Sequence, residues 1–335
     1  MECNDPSMKN SNLIIPGNDL YIPSQQYFPN AQNSVDISLE YEVNRRFIEF
    51  PKSMKWLELI GVKVKNSRFE KYLEAIDFDK KIILFDDIEK GMNSNFNALR
   101  EIDELNWIAE SFSGVEISEN VKSLLNKLVT GSEFRGDDKA SSAGRNTSFH
   151  LRIAGYFARS KIFTDVENPW DVEASYKDRK IVLEAKRISS FKKISRRIGE
   201  AKNQIHKNVI LEKNEKAFGI IAVDTYEFMF NSNVVNCFKN IEECTKAIRN
   251  YFQVLSDTSW VGKEKDKIKK SRSRVHLIWI NSMIPCFLEE EDTYFTRFQS
   301  LFIPIKSRFT PDGQYCQELT DYLSMYFKSP RLIIA

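Results

Sequence analysis

The 335-residue sequence predicts an α/β protein with a central mixed sheet behind a mostly helical N-terminal region. Three observations predict it. From Thr147 onward the patterning runs helix, three strands, helix, strand, an alternation that builds layered α/β domains. "AFGIIAVDT", residues 217 to 225, is an unbroken apolar run, as expected of a strand covered on both faces. Upstream, residues 36 to 130 carry apolar residues at helical spacing.

Residues 1 to 35, rich in Asn, Ser, Pro and Gln, read as a poorly ordered arm. In "FNALREIDELNWIAESF" the residues Leu99, Ile102, Leu105, Ile108 and Phe112 mark one helical face. "VKSLLNKLVTG" repeats the pattern and stops at Gly131, a C-cap residue. Residues 131 to 146, polar and glycine-containing, read as a linker or mobile loop. The second part, 147 to 335, opens with "TSFHLRIAGYFARSKI", a helix capped by Thr147 or Ser148 with Phe149, Ile153, Tyr156 and Phe157 inward. "KIFTDVE" is the first strand, and "NPWDVEASYKDRKIVLEAKRISS" supplies the next two. "FKKISRRIGEAKNQIHKNVI" is an amphipathic helix with Ile194, Ile198, Ala201, Ile205 and Val209 along one stripe. "VNCFKNIEECTKAIRNYFQVL" reads as helix, "RVHLIWINSMI" and "YFTRFQSLFIPI" as strands, and a helix near "CQELTDYLSMYF" closes the chain.

Composition narrows the function classes. No apolar run approaches the ~20 residues of a membrane-spanning helix, and the N-terminus lacks the pattern of a secretory signal. Five cysteines at wide spacing, with no CxxC, speak against a disulfide framework and fit a reducing cytoplasm. Three histidines with no HExxH give zinc hydrolysis little support. No GxxxxGK[ST] loop is present, which removes the commonest NTPase signature.

The chemistry concentrates in the hairpin. With its turn centred on Lys177 and Asp178, partners across the ladder sum to 355, so Asp171 stands opposite Glu184 and Glu173 opposite Val182. Alternation then puts Asp171, Glu173, Ser175, Lys180, Val182, Glu184 and Lys186 on one face. Val172, Ala174, Tyr176, Ile181, Leu183 and Ala185 make an apolar face on the other side. Two facing carboxylates repel unless a proton or cation joins them. Mg2+ suits them, since it prefers carboxylate oxygen and keeps waters. Lys186, on the same face, is placed to orient a water or to stabilise charge on a phosphate. Glu173 either adds a third carboxylate or pairs with Lys180 or Lys186.

Asp171 followed by Glu184-Ala185-Lys186 on the next strand, within a helix–three strands–helix–strand order, resembles the PD-(D/E)xK, or restriction-endonuclease-like, nuclease superfamily. The resemblance spans roughly residues 147 to 224. It implies an αβββαβ core and a Mg2+ (or Mn2+) ion held by Asp171, Glu184 and the Ala185 carbonyl, with Glu173 as a further candidate. It also implies that Lys186 assists the water that cuts a phosphodiester bond. Some branches carry a glutamine on the following helix, and Gln204 stands there. DNA is the substrate the resemblance favours, with defence against foreign DNA as a setting. The pattern departs at Trp170, which separates Pro169 from Asp171. It departs again in the preceding helix, where many members carry a glutamate: no acid lies between Asp138 and Asp165, and His150 sits in that helix. A catalytically inactive module that keeps the fold and binds nucleic acid or a protein partner is the alternative.

Local charge supports a polyanionic partner. Between Tyr176 and Lys216 there are 13 Lys and Arg against 5 Asp and Glu. Arg187, Lys192, Lys193, Arg196 and Arg197 follow the candidate site directly, as nucleic-acid binding would require. Residues 262 to 274 add 7 basic against 2 acidic residues, as a second contact or a solvated loop. The N-terminal region is left to gate the site, to pair two copies as a homodimer, or to meet a protein partner.

Overall fold

The computed structural model describes residues 39–78, 82–83, 91–131, 143–166, 170–211, 213, 216–226, 236–257, 259–271 and 273–328. The expected N-terminal arm lies outside them, as do residues 132–142 of the expected linker. Helices α1 (Leu39–Leu59) and α2 (Arg68–Ala75) come first, then the two-residue strands β1 (Ile76–Asp77) and β2 (Ile82–Ile83). Helices α3 (Gly91–Phe112), α4 (Glu119–Leu128) and α5 (Ala143–Arg159) follow. Strands β3 (Phe163–Asp165), β4 (Val172–Tyr176) and β5 (Arg179–Arg187) lead to α6 (Ile194–Leu211) and β6 (Phe218–Asp224). The remainder is β7 (Asn236–Phe238), α7 (Ile241–Asp257), α8 (Ser259–Lys270), β8 (Val275–Leu288), β9 (Thr293–Pro304) and α9 (Pro311–Lys328).

Seven of these strands form one mixed sheet in the order β3-β4-β5-β6-β8, with β9 and β7 also on β8. The β3–β4, β4–β5 and β8–β9 pairs are antiparallel, and β5–β6, β6–β8 and β7–β8 are parallel. The class is therefore α/β with a mixed central sheet. Every residue of β6 is buried, the outcome of a strand between parallel neighbours with helices on both faces.

Two apolar clusters sandwich the sheet. One holds Val172, Ala174, Ile181, Leu183 and Ala185 with α5, α9 and the apolar faces of α1 to α4. The N-terminal helices thus share a core with the sheet. All five apolar residues predicted for the α3 face are buried there. The second cluster lies on the opposite face and joins Val182 and Ile221 to the predicted α6 stripe, α7 and α8.

A buried polar layer ties the helices to the sheet. Arg68 and Arg145 both donate from Nε to Glu101, at 2.8 and 2.5 Å. Arg152, fully buried, donates to Glu104 at 2.6 Å, Asp224 at 3.0 Å and Asn281 at 2.9 Å. Buried guanidinium groups require such partners, because an unpaired charge out of water is costly.

Three sequence expectations need correction. The helix expected from Thr147 begins at Ala143, so Thr147 and Ser148 lie inside it; Ser148 donates to Glu104 at 2.9 Å and to the Arg145 carbonyl at 2.8 Å. The last residues assigned to the linker are therefore helical. The segment read as one helix from Val235 contains β7 before α7, because Cys237 and Phe238 pair with Phe287 and Leu288. Most of the basic stretch 262–274 is helix α8, anchored by buried Val261 and Ile268.

Candidate functional site

The hairpin adopts the register its sequence predicts. Val172 pairs Leu183, Glu173 pairs Val182, Ala174 pairs Ile181, Ser175 pairs Lys180 and Tyr176 pairs Arg179. Lys177 enters the two-residue turn at φ 53°, a left-handed conformation that Lys does not favour. Contacts to α9 hold it. The Tyr315 hydroxyl donates to the Tyr176 carbonyl at 3.0 Å, Arg179 donates to Asp312 at 2.7 Å, and Lys177 pairs with Glu318.

At the other end, Asp171 stands one residue before β4 and accepts the Ala185 N–H at 2.8 Å. Its carboxylate thus takes the donor that a longer β4 would have satisfied. Lys186 Nζ donates to Glu184 Oε2 at 2.8 Å and to Asp171 Oδ2 at 3.3 Å. The ammonium bridges the two carboxylates that the register brings together. A residue's N–H and C=O point to the same strand edge, so the Ala185 carbonyl also faces the Asp171 side.

Burial, followed by the neighbouring Asp171 charge, pushes the Glu184 carboxyl up to about 7, and Lys186 only partly offsets them. For Asp171, burial is outweighed by His150, Lys186 and the Ala185 N–H, which hold it below the usual carboxylate range. Burial works against the Lys186 charge, but Asp171 and Glu184 raise its proton affinity above the ordinary value. Two close carboxyl groups driven apart in acidity are the pattern of a proton-sharing or cation-binding pair.

His150 is the site residue that sequence reasoning missed. It reaches from α5 to place Nδ1 3.8 Å from Asp171 Oδ1, and its ring hydrogen-bonds the Ala185 backbone. Burial lowers its proton affinity despite the neighbouring Asp171 charge. The only signal in the sequence was a histidine on an otherwise apolar helix face.

Other candidates lie elsewhere. Glu173 pairs with Lys180 at 2.7 Å, the surface pairing weighed above. Gln204 is exposed on α6, and none of the described contacts links it to Asp171, Glu184 or Lys186. Arg187 turns inward, donating to the Arg145 carbonyl at 2.6 Å and lying 3.6 Å from Asp224, so it is a structural cation and not a free phosphate contact. Lys192, Lys193 and Arg196 are exposed at the start of α6; Arg197 is half-buried and pairs with Glu200 at 3.0 Å.

Among the described residues no three His, Cys, Asp or Glu side chains are grouped to hold a metal ion. The oxygen donors that do meet are Asp171, Glu184 and, on the same edge, the Ala185 carbonyl. One or two carboxylates with retained waters is the donor set a Mg2+ site uses, whereas a closed all-protein cage is not. Among the described residues no helix is long and apolar enough to cross a membrane. Compared with models of known protein families and with curated proteins, the chain matches none.

Proposed function

We propose that this protein is a metal-dependent nuclease with a restriction-endonuclease-like αβββαβ core that hydrolyses phosphodiester bonds, DNA being the favoured substrate. The observation that carries the reading is the convergence of Asp171, Glu184 and Lys186 at the open end of the hairpin, with one ammonium bridging both carboxylates. Nothing in the apolar packing requires that arrangement. Burying a carboxyl whose proton affinity is raised costs stability, which function explains better than folding does.

Asp171, Glu184 and the Ala185 carbonyl would hold Mg2+ or Mn2+. When bound, such an ion neutralises phosphate charge and makes a water more acidic. The chain's own groups do the rest. The Ala185 N–H fixes the Asp171 carboxylate, and Lys186 sets the spacing of the two acids and supplies a positive charge for a phosphate oxygen. His150 hydrogen-bonds the Ala185 backbone and lies beside Asp171. One observation favours a second reading, an inactive module that binds nucleic acid: the ligating side chains number two, not three.

Cleavage of plasmid and linear DNA with Mg2+ or Mn2+ tests the proposal, wild type beside Lys186→Ala and Asp171→Ala. The expected result is cutting by wild type alone. Equal cutting by all three would assign the activity to a contaminant. A thermal melt separates the second reading. Ligand linkage stabilises a metal-binding wild type but not Asp171→Ala, and an inactive module shows no Mn2+-dependent shift.

A further inference from the structure

Helices α6 and α8 lie side by side on the sheet face that carries Glu184 and Lys186. Val182, on that face, shares its apolar cluster with the α6 stripe and with Val261 and Ile268 of α8. The two helices are also joined by a polar clasp. Glu264, buried on α8, accepts the Ser195 hydroxyl from the first turn of α6 and the Lys267 ammonium at 2.6 Å; Lys267 also reaches Ser195 at 3.2 Å.

The outer surface of this pair is basic out of proportion to the rest of the chain. Residues 191–211 and 259–270 hold eleven Lys and Arg against three Asp and Glu, a formal charge of +8. The whole protein is +2, so all other residues together carry −6. Of the three acids, Glu264 is turned inward and Glu200 lies against Arg196 and Arg197. Lys192 and Lys193 at the start of α6 and Lys263, Lys269 and Lys270 on α8 are exposed. Crowding is felt within the patch: burial, then the neighbouring Lys269, lowers the proton affinity of Lys265. The large apolar side chains known to be exposed on these helices, Ile210 and Leu211, sit at the far end of α6.

We propose that α6 and α8 form one ridge that carries the phosphate backbone of a nucleic acid polymer beside the hairpin site. The inference rests on the proposed function for the identity of that site and adds the surface along which the polymer lies. At 1.5 Å per residue α6 is about 27 Å long, which matches about eight nucleotides at 3.4 Å per step along one strand. Short oligonucleotides leave most of the ridge empty. Exposed Lys and Arg side chains suit a polyanion backbone and give no base readout, so binding is independent of sequence and steeply dependent on salt.

The test measures affinity without cleavage. A fluorescent duplex of about 30 base pairs is titrated with protein in EDTA across a range of salt, comparing wild type with the triple variant Lys263→Glu, Lys269→Glu, Lys270→Glu. These three lysines have no role in the hairpin site, and a melt checks that the variant folds. Loss of three phosphate contacts lowers the slope of log affinity against log salt by about 2.7 and the affinity at about 0.1 M salt by about two orders of magnitude. A dinucleotide, which covers about a quarter of the ridge, binds wild type far more weakly. Equal affinity and slope for a folded triple variant would overturn the ridge. So would wild-type binding to vesicles containing anionic phosphatidylserine with none to DNA or RNA. Ridge-dependent binding with no cleavage by wild type overturns the nuclease reading alone.

Discussion

Replacing Arg152 with methionine removes the central cation of the buried layer and keeps most of its volume. Wild-type Arg152 neutralises Glu104 and Asp224, whose side chains are 6% and 3% exposed, and it satisfies Asn281. The variant retains the Ser148 hydroxyl on Glu104 and the Tyr226 N–H on Asp224 at 3.0 Å. Arg187, 3.6 Å from Asp224, offers partial relief. Breaking a buried ion pair by deleting one member costs about 3–5 kcal/mol, and the remaining contacts argue for the lower end, about 3 kcal/mol. For a chain of this size that lowers Tm by about 4 °C. The loss depends on pH. Burial works against the Asp224 charge, but Arg152 and Arg187 outweigh it and hold its carboxyl below the usual range. A depressed carboxylate stabilises the fold above its unfolded pKa of about 4 and loses that contribution as pH falls through the folded value. The variant's deficit is therefore full near neutral pH and shrinks in acid. Circular dichroism melts of Arg152→Met, Glu104→Gln and the double variant measure it, and the double should lose at least about 1 kcal/mol less than the sum. A Tm drop below about 2 °C, or strict additivity, would refute the claim that this layer supports the fold.

Three further outcomes are expected. Burial pushes the His276 ring down to about 4 despite Asp312 3.6 Å away, so its protonation opposes folding. The unfolded chain binds that proton from about pH 6.5, and stability should fall between there and about pH 4; His276→Gln should flatten this limb of a Tm–pH curve. Gly219→Ala should lower Tm clearly, because a Cβ there would lie 2.3 Å from the Arg274 carbonyl and 2.8 Å from Ile205, at the β6–β8 register shift; a neutral result would show that the neighbouring backbone gives way. Ser118→Ala should cost about 1 kcal/mol as an N-cap loss, since its hydroxyl accepts the Val121 N–H at 3.2 Å and donates to Asp165 at 2.9 Å. Urea titration distinguishes that from no effect.

The legible part of the fold was periodic. Period-two alternation gave the hairpin faces, and a helical stripe gave all five buried residues of α6, because each pattern is local and set by burial. The Lys-Asp turn was a weak signal, and what secures it is α9, more than 130 residues away in sequence. Distance in sequence also hid His150, whose approach to Asp171 depends on how α5 lies over β4 and β5. Arg187 misled for a related reason. Its neighbours in sequence are basic, but Asp224 and the Arg145 carbonyl draw it inward. In α8, five lysines masked the two apolar residues that dock it.

The paired arginines of α5 tie the sheet-bearing part of the chain to α3. Residues 143–328 contain the whole seven-stranded sheet, and by topology alone they form a transferable cassette. Cut there, Arg145 would leave Glu101 behind, and Arg152 would leave Glu104 behind and keep Asp224 as its remaining acid. A chimaera that grafts the cassette onto a foreign N-terminus must bring both acids or replace both arginines. A graft that carries α3 together with α5 keeps both pairs intact.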